Sequence, residues 1–471
     1  MLMVSVPSRS QQSLIPIRFL VVLTIFYVVF RLAVTLFLWI TFYKMEIPYW
    51  EAIWIDRWDQ QYYMAIAESG YLNNPYGLRV LAFPPLWGWM IRAMNMVTGN
   101  SIVSGFLLYQ LIGALMPVVS YFAGAVLVQE EALRKKAALI FLTVPTAFLM
   151  SFTLMSEYLT YFGILLVIAM QKPDAAPRES TLAAVIRSPI GRFLIEIIGL
   201  LIMTARFDSV LFASYYLTRI ILRALASSGE QKFRTVLQGS IQEIIWILFL
   251  CGTYLGWNLY LSVTFGMDST DARWQFWGHG FGIGLNPWEQ LGHVAVAMLA
   301  GLVGGILLWK TMRRETTIHR ETTLQRETTM QRGDTTEALS VENIIFGIMA
   351  WGSVTIFIYG CLNSNSSYYR YFGQLVPIIV GFIISSNPKW RPWAAIGAGL
   401  WLYWMVWNWI AYFQYFHLPI LPLIVYCAII AWFGIIYITG SYARLGVKWL
   451  WFANFTGAAI VVGLYFQFHI Q

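Results

Sequence analysis

The chain has 471 residues, 58% hydrophobic, 17% aromatic and only 11% charged, with a mean hydropathy of +0.62 and a formal net charge of +8. Soluble domains carry roughly 25% charged residues, so composition excludes a soluble enzyme and indicates a polytopic membrane protein, for which an all-α fold is expected. The basic residues are scattered between apolar segments and not gathered on one surface, which removes nucleic acid as a partner and leaves the lipid bilayer.

Arg9 and Arg18 precede a long apolar run with no small-residue cleavage site, so residues 17–42 read as a retained first span, long enough for roughly 30 Å of hydrocarbon. Residues 44–100 form a first outer loop, more polar than its surroundings. If its early part is helical, Ile55, Trp58, Tyr62, Ala65 and Ile66 make one stripe. Asp56, Gln60, Tyr63 and Ala67 fall on the neighbouring face, with Asp59 on the border. That is the pattern of an amphipathic helix lying at a membrane surface and holding a carboxylate there; an ordinary connector with solvated carboxylates has the same periodicity. The stretch ends in Phe83-Pro84-Pro85-Leu86, where two prolines interrupt a helix, and a short helix is expected over 86–97.

Further spans are expected at 101–128, 137–153, 156–170, 193–206, 208–226, 241–264, 291–309, 341–361, 371–386, 393–412, 419–438 and 449–468, about thirteen in all with the first. Residues 171–192 read as a loop with a surface helix, and an outer loop at 264–290 carries polar and aromatic residues from Met267 to Gln290. The segment 310–340 repeats Arg-Glu-Thr-Thr from Arg314, Arg320 and Arg326, then degenerates at Arg332; with almost no apolar content it reads as a flexible cytoplasmic loop. Cys251, Cys361 and Cys427 all lie in apolar runs, which implies neither a disulfide framework nor a zinc site.

With the N-terminus inside, the inner segments hold 23 of the 31 Lys and Arg residues, the bias the positive-inside rule describes. The stretch 54–87 then faces outside together with 204–208, 264–290 and 362–370. Charged groups near membrane spans are costly and default to functional candidates: Asp56, Asp59, Glu68, Glu157, Arg206, Asp208, His279, His293 and Arg370. Carboxylates with arginines, and no metal-ligand cluster, suit a reaction that needs one base and stabilisation of an anionic leaving group. No nucleophile elbow, zincin or Walker motif is present, which lowers serine hydrolase, metalloprotease and nucleotide-driven pump.

Arg57-Trp58-Asp59, Ile66-Ala67-Glu68, Gly70-Tyr71 and Ala82-Phe83-Pro84 resemble, in that order, the signature of the glycosylphosphatidylinositol mannosyltransferase II (PIG-V) family. Met155-Ser156-Glu157, Thr204-Ala205-Arg206-Phe207-Asp208 and Tyr369-Arg370-Tyr371-Phe372 are similar to its later segments. Ser69 departs from the family's His, and Phe207-Asp208 from its Ser-Asn. The resemblance implies a GT-C membrane glycosyltransferase. Such an enzyme moves mannose or a related hexose from a polyprenyl-phosphate carrier, of the dolichyl-phosphate mannose type, to a glycan or glycolipid acceptor. It implies Asp59 as catalytic base; Asp56 is the rival carboxylate, and no cofactor or metal is expected. Arg206 and Arg370 are expected on the donor phosphate, and Trp58, Glu68, Tyr71, Phe83, Pro84, Glu157, Asp208 and His279 around the substrates. The site would face outward from a bacterial plasma membrane or into the lumen of a eukaryotic endoplasmic reticulum. The competing classes are a transporter and a non-catalytic membrane subunit; a transporter calls for internal repeats and mid-membrane charges, and no such symmetry is visible.

Overall fold

The computed structural model describes residues 17–44, 46, 59–127, 131–142, 151–152, 155–171, 188–226, 232–277 and a few positions between 344 and 355. Among these residues every regular element is helical. α1 (Ile17–Lys44) is apolar on all sides. α2 (Gln60–Ser69) starts where the amides of Tyr62 and Tyr63 donate to the Asp59 carbonyl at 3.2 and 3.3 Å. A 3-10 turn (Gly77–Ala82) follows, and Phe83 and Pro84 are extended, as the proline pair requires. α3 (Pro85–Thr98) restarts with Pro85 in its first turn, where a missing N–H costs nothing, and ends at Gly99, left-handed at φ 69°.

Asn100 opens α4 (Ser101–Leu127) by accepting the Ile102 and Val103 amides on its side chain at 2.9 and 3.0 Å. Next come α5 (Glu131–Leu142), α6 (Ser156–Ala169) and α7 (Pro189–Met203), the last capped by the Ser188 hydroxyl, which accepts the Gly191 amide at 2.9 Å. A 3-10 turn (Phe207–Phe212) leads into α8 (Ala213–Ala226), then α9 (Lys232–Gly239), α10 (Ile241–Phe265) and α11 (Ser269–Trp277).

Three of these helices, α1, α4 and α10, are long and apolar enough to cross a membrane. At 1.5 Å per residue, the 25 residues of α10 span about 38 Å. α4 is the hub, packed against α1, α3, α5 and α6. α6 is buried by protein along nearly its whole surface, unlike α1, whose outer side chains are left uncovered.

α6 and α7 approach through glycine: a Cβ at Gly163 would stand 2.6 Å from the Gly199 carbonyl oxygen, and one at Gly199 only 3.1 Å from the Gly163 carbonyl oxygen. Backbone meets backbone there, the small-residue packing used where helices have no water to exclude. Gly163→Ala is therefore expected to lower stability by about 1–3 kcal/mol through overpacking, read as a lower melting temperature in detergent. An unchanged melting temperature would mean the two helices do not touch at this glycine.

Arg31, in the middle of α1, is fully buried. Its guanidinium donates to the Ser151 carbonyl at 2.9 Å and to Gln110 Oε1 at 3.4 Å. It lies over the rings of Tyr27, Phe152 and Tyr158 at 5.8, 5.2 and 5.4 Å. Gly113 of α4 makes the room, since a Cβ there would sit 2.8 Å from Arg31 Nε.

The expected elements at 17–42, 86–97, 101–128, 156–170 and 241–264 agree with α1, α3, α4, α6 and α10 to within a few residues. Others need correction. The expected span 137–153 begins earlier, at Glu131, and its described helix ends at Leu142, with Ser151 and Phe152 in a turn. The expected start of a span at 208 is a 3-10 turn, and α9 and α11 occupy segments read as loops.

α2 does not lie open at a surface. Gln60 and Tyr62 to Ala67 are all buried, so both of its helical faces are covered, because α3 packs closely over it. A Cβ at Gly88 of α3 would meet Ile66 Cγ2 at 2.5 Å. The expected spans at 291–309, 371–386, 393–412, 419–438 and 449–468, and the repeat loop, lie outside the described residues, as does most of 341–361.

Candidate active site

Three stretches distant in sequence meet beside the start of α2. Asp59 is half-buried at the N-cap position, but its side chain makes no capping bond; only its backbone carbonyl starts the helix. One turn on, the Tyr63 hydroxyl lies 2.8 Å from Ser156 Oγ at the head of α6 and donates to the Ala205 carbonyl at 3.5 Å. That single hydroxyl ties α2 to the start of α6 and to the turn after α7. The Gly163–Gly199 contact sets these helices antiparallel and close, which brings the start of one beside the end of the other.

The charges gather at the same point. Glu157, fully buried in the first turn of α6, pairs through Oε1 with Arg206 Nη1 at 3.0 Å. A carboxylate suits a helix N-terminus, where the backbone amides present partial positive charge. Arg206 Nε holds Asp208 Oδ1 at 2.9 Å. Burial pushes the Tyr63 hydroxyl far up from its ordinary range; the Arg206 charge pulls it down, while Asp59 and Glu157 push it up further. Tyr63 is thus a neutral hydroxyl at physiological pH, within reach of two carboxylates (Asp59 and Glu157) and one guanidinium (Arg206). Among the described residues no three His, Cys, Asp or Glu side chains are grouped to hold a metal ion.

Aromatic side chains wall the site. Phe83 stacks on Tyr62 with ring centres 4.6 Å apart and meets Tyr63 edge-on at 5.5 Å, and the Tyr71 hydroxyl donates to the Phe83 carbonyl at 2.7 Å. Beyond Pro84 a groove of about 360 Å³ runs between the start of α3, the end of α7 and the middle of α10. Its walls are mostly apolar and aromatic, with Arg206 among them. Gly252 and Gly256 of α10 line it, and a Cβ added to either would meet nothing within 4 Å.

Of the residues singled out from sequence, Asp59, Glu157, Arg206, Asp208, Tyr71, Phe83 and Pro84 are gathered around this point. Glu68 is exposed at the far end of α2 and makes no ion pair among the described residues. Asp56, Trp58, His279, His293 and Arg370 lie outside the described residues. Tyr63 and Ser156 had drawn no role; the visible signal was the four-residue step from Asp59 to Tyr63, which puts both on one side of a helix. No protein-family profile, curated protein or solved structure matches the chain.

Proposed function

We propose that this chain is a multi-pass membrane glycosyltransferase of the GT-C kind, with about thirteen spans. It transfers mannose or a related hexose from a polyprenyl-phosphate sugar to an outward-facing glycan or glycolipid. The observation that carries the reading is the convergence of the 59–63, 155–157 and 205–208 stretches on one polar cluster beside an apolar groove. The groove has the chemistry of a lipid site, and Arg206, the charged centre of the polar cluster, is one of its lining residues. A glycosyl phosphate carries its own good leaving group, so no general acid is needed, unlike the paired carboxylates of glycosidases. Asp59 takes the proton of the acceptor hydroxyl as its oxygen attacks the anomeric carbon in line. The carbon–phosphate-oxygen bond breaks, the polyprenyl phosphate departs with the electron pair, and the configuration inverts.

The deciding experiment incubates purified protein with a panel of polyprenyl-phosphate sugars and follows sugar release or transfer. Turnover of one of them is expected, and no turnover of any would end the reading. Sidedness is checked separately. In a background without Cys251, Cys361 and Cys427, a cysteine at Leu72, 74% exposed, is expected to react with a membrane-impermeant thiol reagent from outside. One at Gln325 is expected to stay protected. The reverse pattern would put the site on the nucleotide-rich side and favour a different donor.

A further inference from the structure

Arg206 is the arginine nearest the reacting groups, yet its guanidinium already carries ion pairs to both Glu157 and Asp208. A phosphate arriving there meets two carboxylates for one positive charge. A second arginine stands at the end of the same groove. α11 is fastened to α10 by three contacts: the Ser269 amide and hydroxyl both donate to Asn258 Oδ1, at 3.0 and 2.5 Å, and the Tyr254 hydroxyl lies 3.3 Å from Thr270 Oγ1. Tyr254 is itself a groove residue. Arg273 follows three and four residues on, hence on the same side of the helix.

Its guanidinium lies over the ring of Phe207, 5.1 Å from the centroid, and its Nε donates to the Ala82 carbonyl at a long 3.4 Å. Phe207 and Pro84, which is two residues beyond Ala82, both line the groove. Arg273 therefore bridges the two walls at one end of the apolar channel. It is half-buried and makes no ion pair among the described residues. Arg79, by comparison, is exposed over the ring of Phe276, and that ring is not part of the groove.

We infer that Arg273, and not Arg206, is the principal cation for the phosphate of a polyprenyl phosphate whose chain lies in the groove. This rests on the donor class proposed above and assigns its phosphate to a residue of α11. A guanidinium presents a fork of donors matched to phosphate oxygens. Stacking on Phe207 holds that fork in place. Glu157 and Asp208 then serve to fix Arg206 and to keep the phosphate away from Asp59, so that the anion and the base do not compete.

The test is direct binding to the full chain in phosphatidylcholine nanodiscs, using a polyprenyl monophosphate, the uncharged polyprenol of equal length, and inorganic phosphate. Wild type is expected to bind the polyprenyl phosphate more tightly than the polyprenol. Arg273→Gln is expected to weaken the phosphate form roughly tenfold or more, the loss of a charge-assisted bond, and to leave polyprenol unchanged. Arg273→Lys keeps the charge without the fork and is expected to fall between; it also serves if the Gln variant does not fold. Arg79→Gln controls for general surface charge and is expected to bind as wild type. Equal binding by Arg273→Gln and wild type would overturn the inference. So would the absence of polyprenyl-phosphate binding by wild type, or equal competition by phosphatidylglycerol or inorganic phosphate. Binding needs no turnover, so carrier binding without sugar transfer would sink the transferase reading and leave this one standing.

Discussion

Asp59→Asn is expected to lower sugar transfer by about 10²–10⁴-fold while donor binding and melting temperature stay near wild type. The size follows from removing a general base, because an amide of the same shape accepts no proton at neutral pH. The retention of fold follows from the way α2 begins. Its first bonds run to the Asp59 backbone carbonyl, and the side chain makes no capping bond, so the substitution removes no structural contact of that kind. Asp56→Asn, measured alongside, separates the rival carboxylate: if Asp56 is the base, its variant loses turnover and Asp59→Asn does not. Full activity of Asp59→Asn would remove it from the chemistry.

The second large effect is on stability. Arg206→Met is expected to cost about 3–5 kcal/mol, because it takes the positive partner from a carboxylate buried as completely as Glu157 and leaves an uncompensated charge inside. Combining Arg206→Met with Glu157→Leu is expected to recover a large part of the loss, since replacing both members of a buried pair is far milder than removing one. Thermal unfolding of the two single variants and the double variant in detergent gives the comparison. A normal melting temperature for Arg206→Met with a raised donor KM would return Arg206 to the phosphate and take that role from Arg273.

What sequence reveals here depends on how local the physics is. The break at Pro84 and Pro85 and the helix restarting after it were legible because a missing amide and a fixed φ act within one or two residues. The apolar runs of α1, α4 and α10 were legible for the same reason. The Arg206–Asp208 pair is local in the same sense, since its members are two residues apart. The pairing of Glu157 with Arg206 is not, because that contact depends on α6 and α7 meeting at Gly163 and Gly199. The burial of α2 was hidden in the same way. Its own periodicity shows a polar face at Gln60 and Tyr63, but Gly88 on another helix decides that α3 comes close enough to cover it. Arg273 passed as one more outer basic residue, because its worth lies in Phe207 and Ala82, far away in the chain.

Arg31 carries a consequence for how the protein is made. A lone arginine at the centre of a helix in hydrocarbon costs about 2.5–3.5 kcal/mol on insertion scales. Its stabilising groups arrive late: the Ser151 carbonyl is 120 residues further along the chain. At ribosomal speeds of about 5–20 residues per second, that is about 6–24 s of synthesis. Throughout that interval α1 lacks the Tyr158 ring against which its guanidinium finally rests, and it lacks the Gly113 notch until α4 has been made. The first helix is therefore poorly suited to partition into lipid by itself and well suited to linger beside the insertion machinery until α4 and α6 emerge. Assembly of this part of the molecule is then a joint event, in which α1 settles only together with the later α4 and α6.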